Sequence, residues 1–303
     1  MKILLGGSPC THWSIARVKG REIEAEGLGW ELFKNYLIAR NRFCPEYFLY
    51  ENNRSIAAEI KRQITAELGV EPVTIDSALL SAQSRQRLYW VGRRDQDGTY
   101  SKIEVRQPED KGIMLRDILE KERGDWRPVG KWTKHAFFTN PDVTKLDALK
   151  TILSDKAFTL TTKKGHPNNY ICNPERTQYS NLTISEYEEL QTVPRGYTAC
   201  VPEGERYKML GNGWTVDVIA HILSFLPEIT EKPLEVLSMY DGMSCGRLAL
   251  DKLGASVAAY LATEIDEYAI KVTQAKYPDT VQLGDAFQVR GDGWRPWEGG
   301  AIL

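Results

Sequence analysis

Apolar positions along the first hundred residues switch between two periods. Lys2 to Leu5 is a short and almost wholly apolar run, the form of a strand covered on both faces. Leu28, Leu32, Phe33, Tyr36 and Leu37 recur at helical spacing and predict a helix over 27–42. A second strand over 46–50 precedes a helix over 54–68, which Gly69 should stop. Strands over 73–77 and 88–91 follow. Alternation of this kind builds βαβ units and a mostly parallel sheet.

Between 111 and 180 the periodicity is lost. Gly, Pro, Asn and Thr are frequent there, and the clear helix is a short one over 114–120. The stretch predicts a small, irregular inserted domain. Thr183-Ile184-Ser185-Glu186 then has the form of a capping box and opens a helix through Leu190. Another helix is predicted over 215–225, and Pro227 to Pro233 reads as a linker. Beyond it, strands over 236–240, 258–264 and 280–283 alternate with helices over 243–253 and 266–276. Three segments result, 1–110, 111–180 and 181–303, and a ligand-binding βαβ part occupies 234–303.

Composition narrows the class. The chain has 303 residues, 42% hydrophobic and 26% charged, values of a globular chain able to bury a sizeable core. Its apolar runs fall short of the ~20 residues a membrane helix needs. The start of the sequence lacks the basic and cleavage regions of a signal peptide, so a cytoplasmic location is expected. Five scattered cysteines without a CxxC pair and four histidines without metal spacing speak against a disulfide framework or a metal centre. Net charge is only −2 but unevenly spread. Residues 111–180 hold 13 Lys and Arg against 8 Asp and Glu, a net of +5. Such a basic middle suits contact with phosphates, although an ordinary solvated face would look the same.

Tyr240-Asp241-Gly242-Met243-Ser244-Cys245-Gly246 places two glycines between a predicted strand and helix. Close backbone approach and helix N-terminal N–H groups hold ligands at such turns. Glu264 ends the next strand 22 residues beyond Gly242, about where an acid reaches a ribose hydroxyl. Asp285 ends the third strand, where a carboxylate can accept from an adenine amino group. The turn is not GxGxxG, which disfavours a dinucleotide, and no Gly-Lys-Ser/Thr follows, which excludes a P-loop. Adenosine with a charged amino-acid tail, as in S-adenosylmethionine, suits acids without a phosphate-binding lysine. Taken alone, the turn is as often purely structural.

Candidate reacting groups lie at the other end of the chain. Cys10 follows Pro9 at the end of the first strand, Glu51 closes the next, and Gln83-Ser84-Arg85-Gln86-Arg87 leads into another. Singly, these are what packing cysteines, structural glutamates and salt-bridged arginines look like. Their succession is more specific. Gly-Ser-Pro-Cys, Glu-Asn-Asn and Gln-x-Arg-x-Arg are followed by Leu182-Thr183…Glu186…Leu190-Gln191…Pro194 and then by Gly211-Asn212-Gly213-Trp214-Thr215. In this order the chain resembles the DNA (cytosine-5)-methyltransferase family, over nearly everything outside 111–180. Two features depart from the family pattern. The cofactor motifs come last, as in a circular permutation, and the cofactor turn is Asp-Gly-x-x-x-Gly. In addition, Asn52-Asn53 stands where Asn-Val is common.

The resemblance implies an α/β fold, a Rossmann-like methyltransferase sheet, circularly permuted, with 111–180 as target-recognition domain. It implies methyl transfer from S-adenosylmethionine to carbon-5 of a flipped cytosine, leaving S-adenosylhomocysteine. Cys10 would add to carbon-6, Glu51 would bind the base's nitrogen edge, Arg87 would contact its carbonyl, and Arg85 would brace the site. Tyr240, Asp241, Gly242, Met243, Ser244, Gly246, Glu264, Ile265, Asp285 and Ala286 would hold the cofactor, with Pro9, Asn212 and Trp214. Ser14, Arg17, Lys19 and Arg21 would meet DNA from a loop over 11–27, and Thr161, Thr162, Lys163 and Lys164 from the basic domain. The implied partner is double-stranded DNA, bound by a monomer without metal, in a bacterial or phage-infected cell. An RNA cytosine-5 methyltransferase, a catalytically silent DNA-binding homologue and a donor of a larger group remain open.

Overall fold

The computed structural model describes residues 1–14, 20–130 and 149–295, with the side chain of Cys10 left out. Two compact units are present. The first comprises Met1–Ile75, Gln86–Gln107 and Ile219–Leu303; the second comprises Asp76–Arg85 and Pro108–Val218.

The first unit is built on a twisted sheet. In chain order its elements begin with β1 (Lys2–Gly6), α1 (Gly27–Phe43), β2 (Tyr47–Asn53), α2 (Ala58–Leu68), β3 (Val73–Asp76), β4 (Gln86–Arg94) and β5 (Tyr100–Lys102). The second unit then contributes α3 (Leu115–Ile118), β6 (Arg127–Pro128), β7 (Tyr170–Cys172), β8 (Gln178–Asn181), α4 (Ile184–Leu190) and α5 (Glu203–Asn212). Helix α6 (Val216–Leu223) leads back to β9 (Leu234–Met239), α7 (Cys245–Leu253), β10 (Val257–Thr263), α8 (Glu267–Lys276) and β11 (Val281–Gly284). Strand order in the main sheet is β11-β10-β9-β1-β2-β4-β3, with β5 on the outer side of β4. Strands β11, β10, β9, β1 and β2 run parallel, whereas β4 is antiparallel to β2.

Continuous apolar runs are what a sheet covered on both faces requires. Ile3, Leu4 and Leu5 of β1 and Val236 and Leu237 of β9 are fully buried. Helix α1 lies close on β1: a Cβ at Gly6 would stand 2.9 Å from the Tyr36 ring. Tyr36 donates its hydroxyl to Leu49 O (2.9 Å) and packs at a tilt against Tyr50, ring centres 4.9 Å apart, which in turn meets Trp90 at 5.7 Å. Gly69, at φ 77°, ends α2 through its N–H to Thr65 O, as its position in the sequence predicts.

Strand β1 lies between β9 and β2. Gly6 is in register with Met239 on one side and with Tyr50 on the other. The chain's first strand therefore delivers Pro9–Cys10 between the segments following β9 and β2.

In the second unit, Thr183 caps α4 and Glu186 reaches back to the Thr183 N–H (2.8 Å), the expected box. Three features differ from the sequence reading. A three-stranded sheet, β6-β8-β7, orders part of the stretch read as irregular. Helix α5 was also not predicted; Gly204 and Gly211 break its propensity, and it buries Tyr207, Met209, Leu210 and Gly211 alone. The unit runs to Val218, beyond the 180 boundary read from sequence. Among the described residues no helix is long and apolar enough to cross a membrane. No group of three His, Cys, Asp or Glu residues among them could hold a metal ion.

Candidate active site

Parallel strands put their C-terminal ends on one edge, and ligands collect there in α/β sheets. On that edge of the first unit stand Pro9–Cys10 after β1, Glu51–Asn53 at the end of β2 and Tyr240–Gly242 after β9. Glu264 and Asp285 follow β10 and β11. Because β4 is antiparallel, its beginning, with Arg87, lies on the same edge.

Antiparallel pairing explains how Glu51 and Arg87 meet. Asn53 pairs with Arg87 and Glu51 with Tyr89, so Glu51 and Arg87 are diagonal neighbours on one face. Arg87 Nε lies 3.2 Å from Glu51 Oε1, with the two side chains only 15% and 13% exposed. Half-buried pairing of this kind is screened less than a surface bridge.

The turn carrying Cys10 is tied to β2 by Ser8, Tyr50 and Asn52, to which the motifs alone assign no role. Ser8 Oγ and Tyr50 OH are 2.6 Å apart, and Asn52 Nδ2 donates to Ser8 O (3.4 Å) and to Tyr50 OH (3.3 Å). Burial raises the Tyr50 hydroxyl far above the usual phenol range, so it stays protonated. Asn52 follows the glutamate because its amide clasps the neighbouring turn. The Cys10–His12 backbone forms a short 3-10 turn.

At the glycine turn, Tyr240, Gly242 and Ser244 all have φ near +60°. Gly242 needs no side chain for that conformation, and nothing lies within 4 Å of where its Cβ would be. Glu264 closes the turn: Gly242 N donates to Oε2 (2.8 Å), while Ile265 N and Asp266 N donate to Oε1 at 2.7 and 2.8 Å. Ile265 is 74% exposed beside it, an apolar face in the open. Asp285 accepts from Phe287 N (2.9 Å) and starts the turn that buries Ala286. Tyr240 donates to Leu32 O (2.6 Å), and Met243, Ser244 and Gly246 are buried.

Asp241, grouped by sequence with the ligand contacts, engages the protein. Its carboxyl accepts from Tyr260 OH (2.8 Å) and Ser244 Oγ (2.5 Å), and burial pushes it up to about 6 from an ordinary 3.8. Hydrogen bonds from Ser244, Ser238 and Tyr260 pull the other way, and the nearby charge of Glu264 adds to the rise. The sign follows from linkage. Folded protein holds this proton to higher pH than unfolded protein does, so the contribution is complete below pH 4 and is lost as pH rises through 6. Asp241→Asn is therefore expected to gain stability over the parent as pH goes from 4 to 7, by up to roughly 3 kcal/mol. Urea unfolding of both proteins across that range checks it; a difference independent of pH would refute it.

In the second unit, Arg85 Nη2 donates to Gly211 O (3.1 Å) and Gly213 O (3.0 Å). Gln191 Nε2 donates to Leu210 O (2.6 Å) and Gly213 O (3.1 Å). Thr215 Oγ1 donates to Gln191 Oε1 (2.8 Å). Arg85 thus braces the turn bearing Asn212 and Trp214, and Asn212 is exposed on it.

Of the residues expected to touch DNA, Arg17 and Lys19 lie outside the described residues. Ser14 is half-buried. Arg21 is engaged by backbone, donating to Trp13 O (2.9 Å) and to Ser55 O. Thr161 and Asn169 bond through Thr161 Oγ1 (2.7 Å). Thr162, Lys163 and Lys164 line a cleft of about 430 Å³ with Glu203, Gly204 and Tyr207. Lys164 pairs with Glu203 at 2.7 Å.

These elements define an α/β protein whose main sheet carries Pro9–Cys10, the Glu51–Arg87 pair and the Gly242–Glu264 turn on one edge. The model of the C-5 cytosine-specific DNA methylase family matches residues 1–227, and the chain belongs to that family. DNA (cytosine-5)-methyltransferase DRM1 of Arabidopsis thaliana is 24% identical over 79% of this chain and 39% of its own length. Type II methyltransferase M.Eco47II of Escherichia coli is 24% identical over 71% of this chain and 61% of its own. A putative DNA modification methyltransferase from an E. coli prophage is a structural neighbour at TM-score 0.47. It is 14% identical over 74% of this chain and 77% of that one. The chain spans from about a fifth to two fifths of the length of the plant relatives.

Proposed function

We propose that the protein methylates carbon-5 of cytosine in duplex DNA, using S-adenosylmethionine and a covalent bond to Cys10. The observation that carries this reading is the Glu51–Arg87 pair, on the sheet edge that also bears Pro9–Cys10 and the Gly242–Glu264 turn.

The residues fit S-adenosylmethionine. Open space above Gly242, carboxylates on two neighbouring strand ends and an exposed Ile265 beside Glu264 suit the backbone approach, hydroxyls and flat apolar base of an adenosine. When bound, the sulfonium supplies an electrophilic methyl group. Cys10, as thiolate, forms a bond to carbon-6 of cytosine, and the electron pair of the 5,6 double bond makes carbon-5 nucleophilic. Glu51 holds the ring's nitrogen edge and shares a proton there, offsetting the developing charge. Arg87 orients Glu51 and contacts the base carbonyl. After methyl transfer, loss of the carbon-5 proton and release of Cys10 restore the double bond. Such a pocket needs the base out of the helix.

Arg85 and the 111–180 segment are assigned to bracing and target recognition, and the motif order to circular permutation. The E. coli relative supports a bacterial or phage-infected cytoplasm as the place of action. Incubation with methyl-tritiated S-adenosylmethionine and either duplex DNA or tRNA tests the proposal. Label in DNA, recovered as 5-methylcytosine, is expected. Label in tRNA alone would transfer the assignment to RNA, and label in neither would leave a silent homologue.

A further inference from the structure

We propose that Glu22 is the positioning residue of Cys10. The inference rests on the function proposed above. Glu22 stands twelve residues beyond the nucleophile, yet its groups grip the turn on which the nucleophile sits. Its N–H donates to His12 O (3.0 Å), its Oε1 lies 3.2 Å from His12 Nδ1, and its Oε2 accepts from Trp13 Nε1 (3.0 Å). The same carboxylate accepts from Gly29 N (3.1 Å) in the first turn of α1. One side chain thus ties the residues two and three positions after Cys10 to the helix that packs on β1. Trp13 is completely buried, so its ring is an anchor that transmits this hold.

The surroundings are shaped for that carboxylate. A Cβ on Gly29 would fall 2.6 Å from Glu22 Oε2 and 2.5 Å from Trp13 Nε1. One on Gly27, whose φ is +79°, would fall 2.7 Å from Glu22 Oε1. Two glycines two residues apart leave the space that Glu22 fills. Glu26, at the N-cap, makes no side-chain bond, and the first-turn N–H of Gly29 goes to Glu22 instead, so this one carboxylate joins the start of α1 to the turn after Cys10. Arg21 adds its own bond to Trp13 O, so neighbouring residues hold both the ring and the backbone of Trp13.

A nucleophile displaced by an ångström loses about 10²-fold in rate. The test follows covalent trapping on duplex DNA containing 5-fluorocytosine, in the presence of S-adenosylmethionine, for the parent, Glu22→Ala and Glu22→Gln. Binding of S-adenosylmethionine and of duplex DNA is measured alongside. Glu22→Ala should slow trapping by about 10²-fold with both affinities unchanged. Glu22→Gln, whose single amide oxygen can take the place of Oε2 and accept from both Trp13 and Gly29, should recover to within about tenfold of the parent. Thr65→Val, which removes the hydroxyl taken by Trp90 Nε1 (3.0 Å) elsewhere in the same unit, controls for lost stability and should trap at the parent rate. Parent-like trapping by Glu22→Ala, or no recovery in Glu22→Gln, would overturn the positioning role. A parent that traps nothing would overturn the function itself.

Discussion

Cys10→Ala is expected to abolish methyl transfer, by about four orders of magnitude or more, as removal of a covalent nucleophile does elsewhere. Among the described residues of this edge, no side chain is placed to take over the bond proposed for Cys10. The described side chains of the turn before Cys10 and of the neighbouring strand ends are Ser8, Tyr50 and Asn52, whose polar atoms bond to one another, and Glu51 and Arg87, which pair. None of these offers a soft nucleophile to a weakly electrophilic carbon. Of the other cysteines, Cys44 and Cys200 are exposed, while Cys172 and Cys245, the latter opening α7 just after the glycine turn, are buried. Burial raises the Cys172 thiol to about 11, which keeps it protonated and inert. The loss should fall on chemistry alone. Pro9 precedes the residue and the turn is held from its other side by Glu22, so alanine should leave thermal unfolding and duplex binding close to the parent's. Tritium transfer, adduct trapping and a filter-binding isotherm on the same preparations check this. Methylation retained above about a hundredth of the parent rate would remove Cys10 from the mechanism, since loss of a covalent nucleophile costs far more than that.

The sheet was legible because its strands are covered on both faces, and such strands read as unbroken apolar runs bounded by turn residues. The small sheet was not, because strands of two to four residues carry too few alternations to outweigh the Gly, Pro and Asn around them. Helix α5 escaped for a related reason. Its amphipathic face is four residues long and contains a glycine, which is needed there because Thr161 backbone atoms would lie 2.5 Å from a Cβ at Gly211. Within the site, Glu51 and Arg87 could be read from motif order, and register alone then brings them together. Partnerships across longer distances could not. Asp241 reads as a ligand contact by its place beside Gly242, yet Tyr260, on the next strand, claims its carboxyl. Glu22 reads as one more charge in a polar stretch until folding brings Gly29 and Trp13 to it.

Glu51→Gln should lower the turnover number by roughly 10²- to 10⁴-fold, the range of a lost proton-transfer group, with duplex affinity little changed. Glutamine keeps the shape and an oxygen for Arg87 Nε, so the strand ends stay in register. What disappears is the ability to share a proton with the ring nitrogen as charge develops on the base. Truncating the partner acts through a different route. Arg87→Ala would leave a half-buried carboxylate without its cation, a cost beyond the lost contact itself. The two changes should not add. Once Glu51 is neutral, Arg87 has no charge to orient, so Glu51→Gln combined with Arg87→Ala should lose little more than the worse single variant. Single-turnover rates on one duplex, measured for the four proteins of the cycle, decide the matter. Additive losses would mean that each residue meets the substrate independently and that the pair seen between β2 and β4 is only structural. A loss under about tenfold for Glu51→Gln would move the proton elsewhere and leave Glu51 as the counter-ion of Arg87.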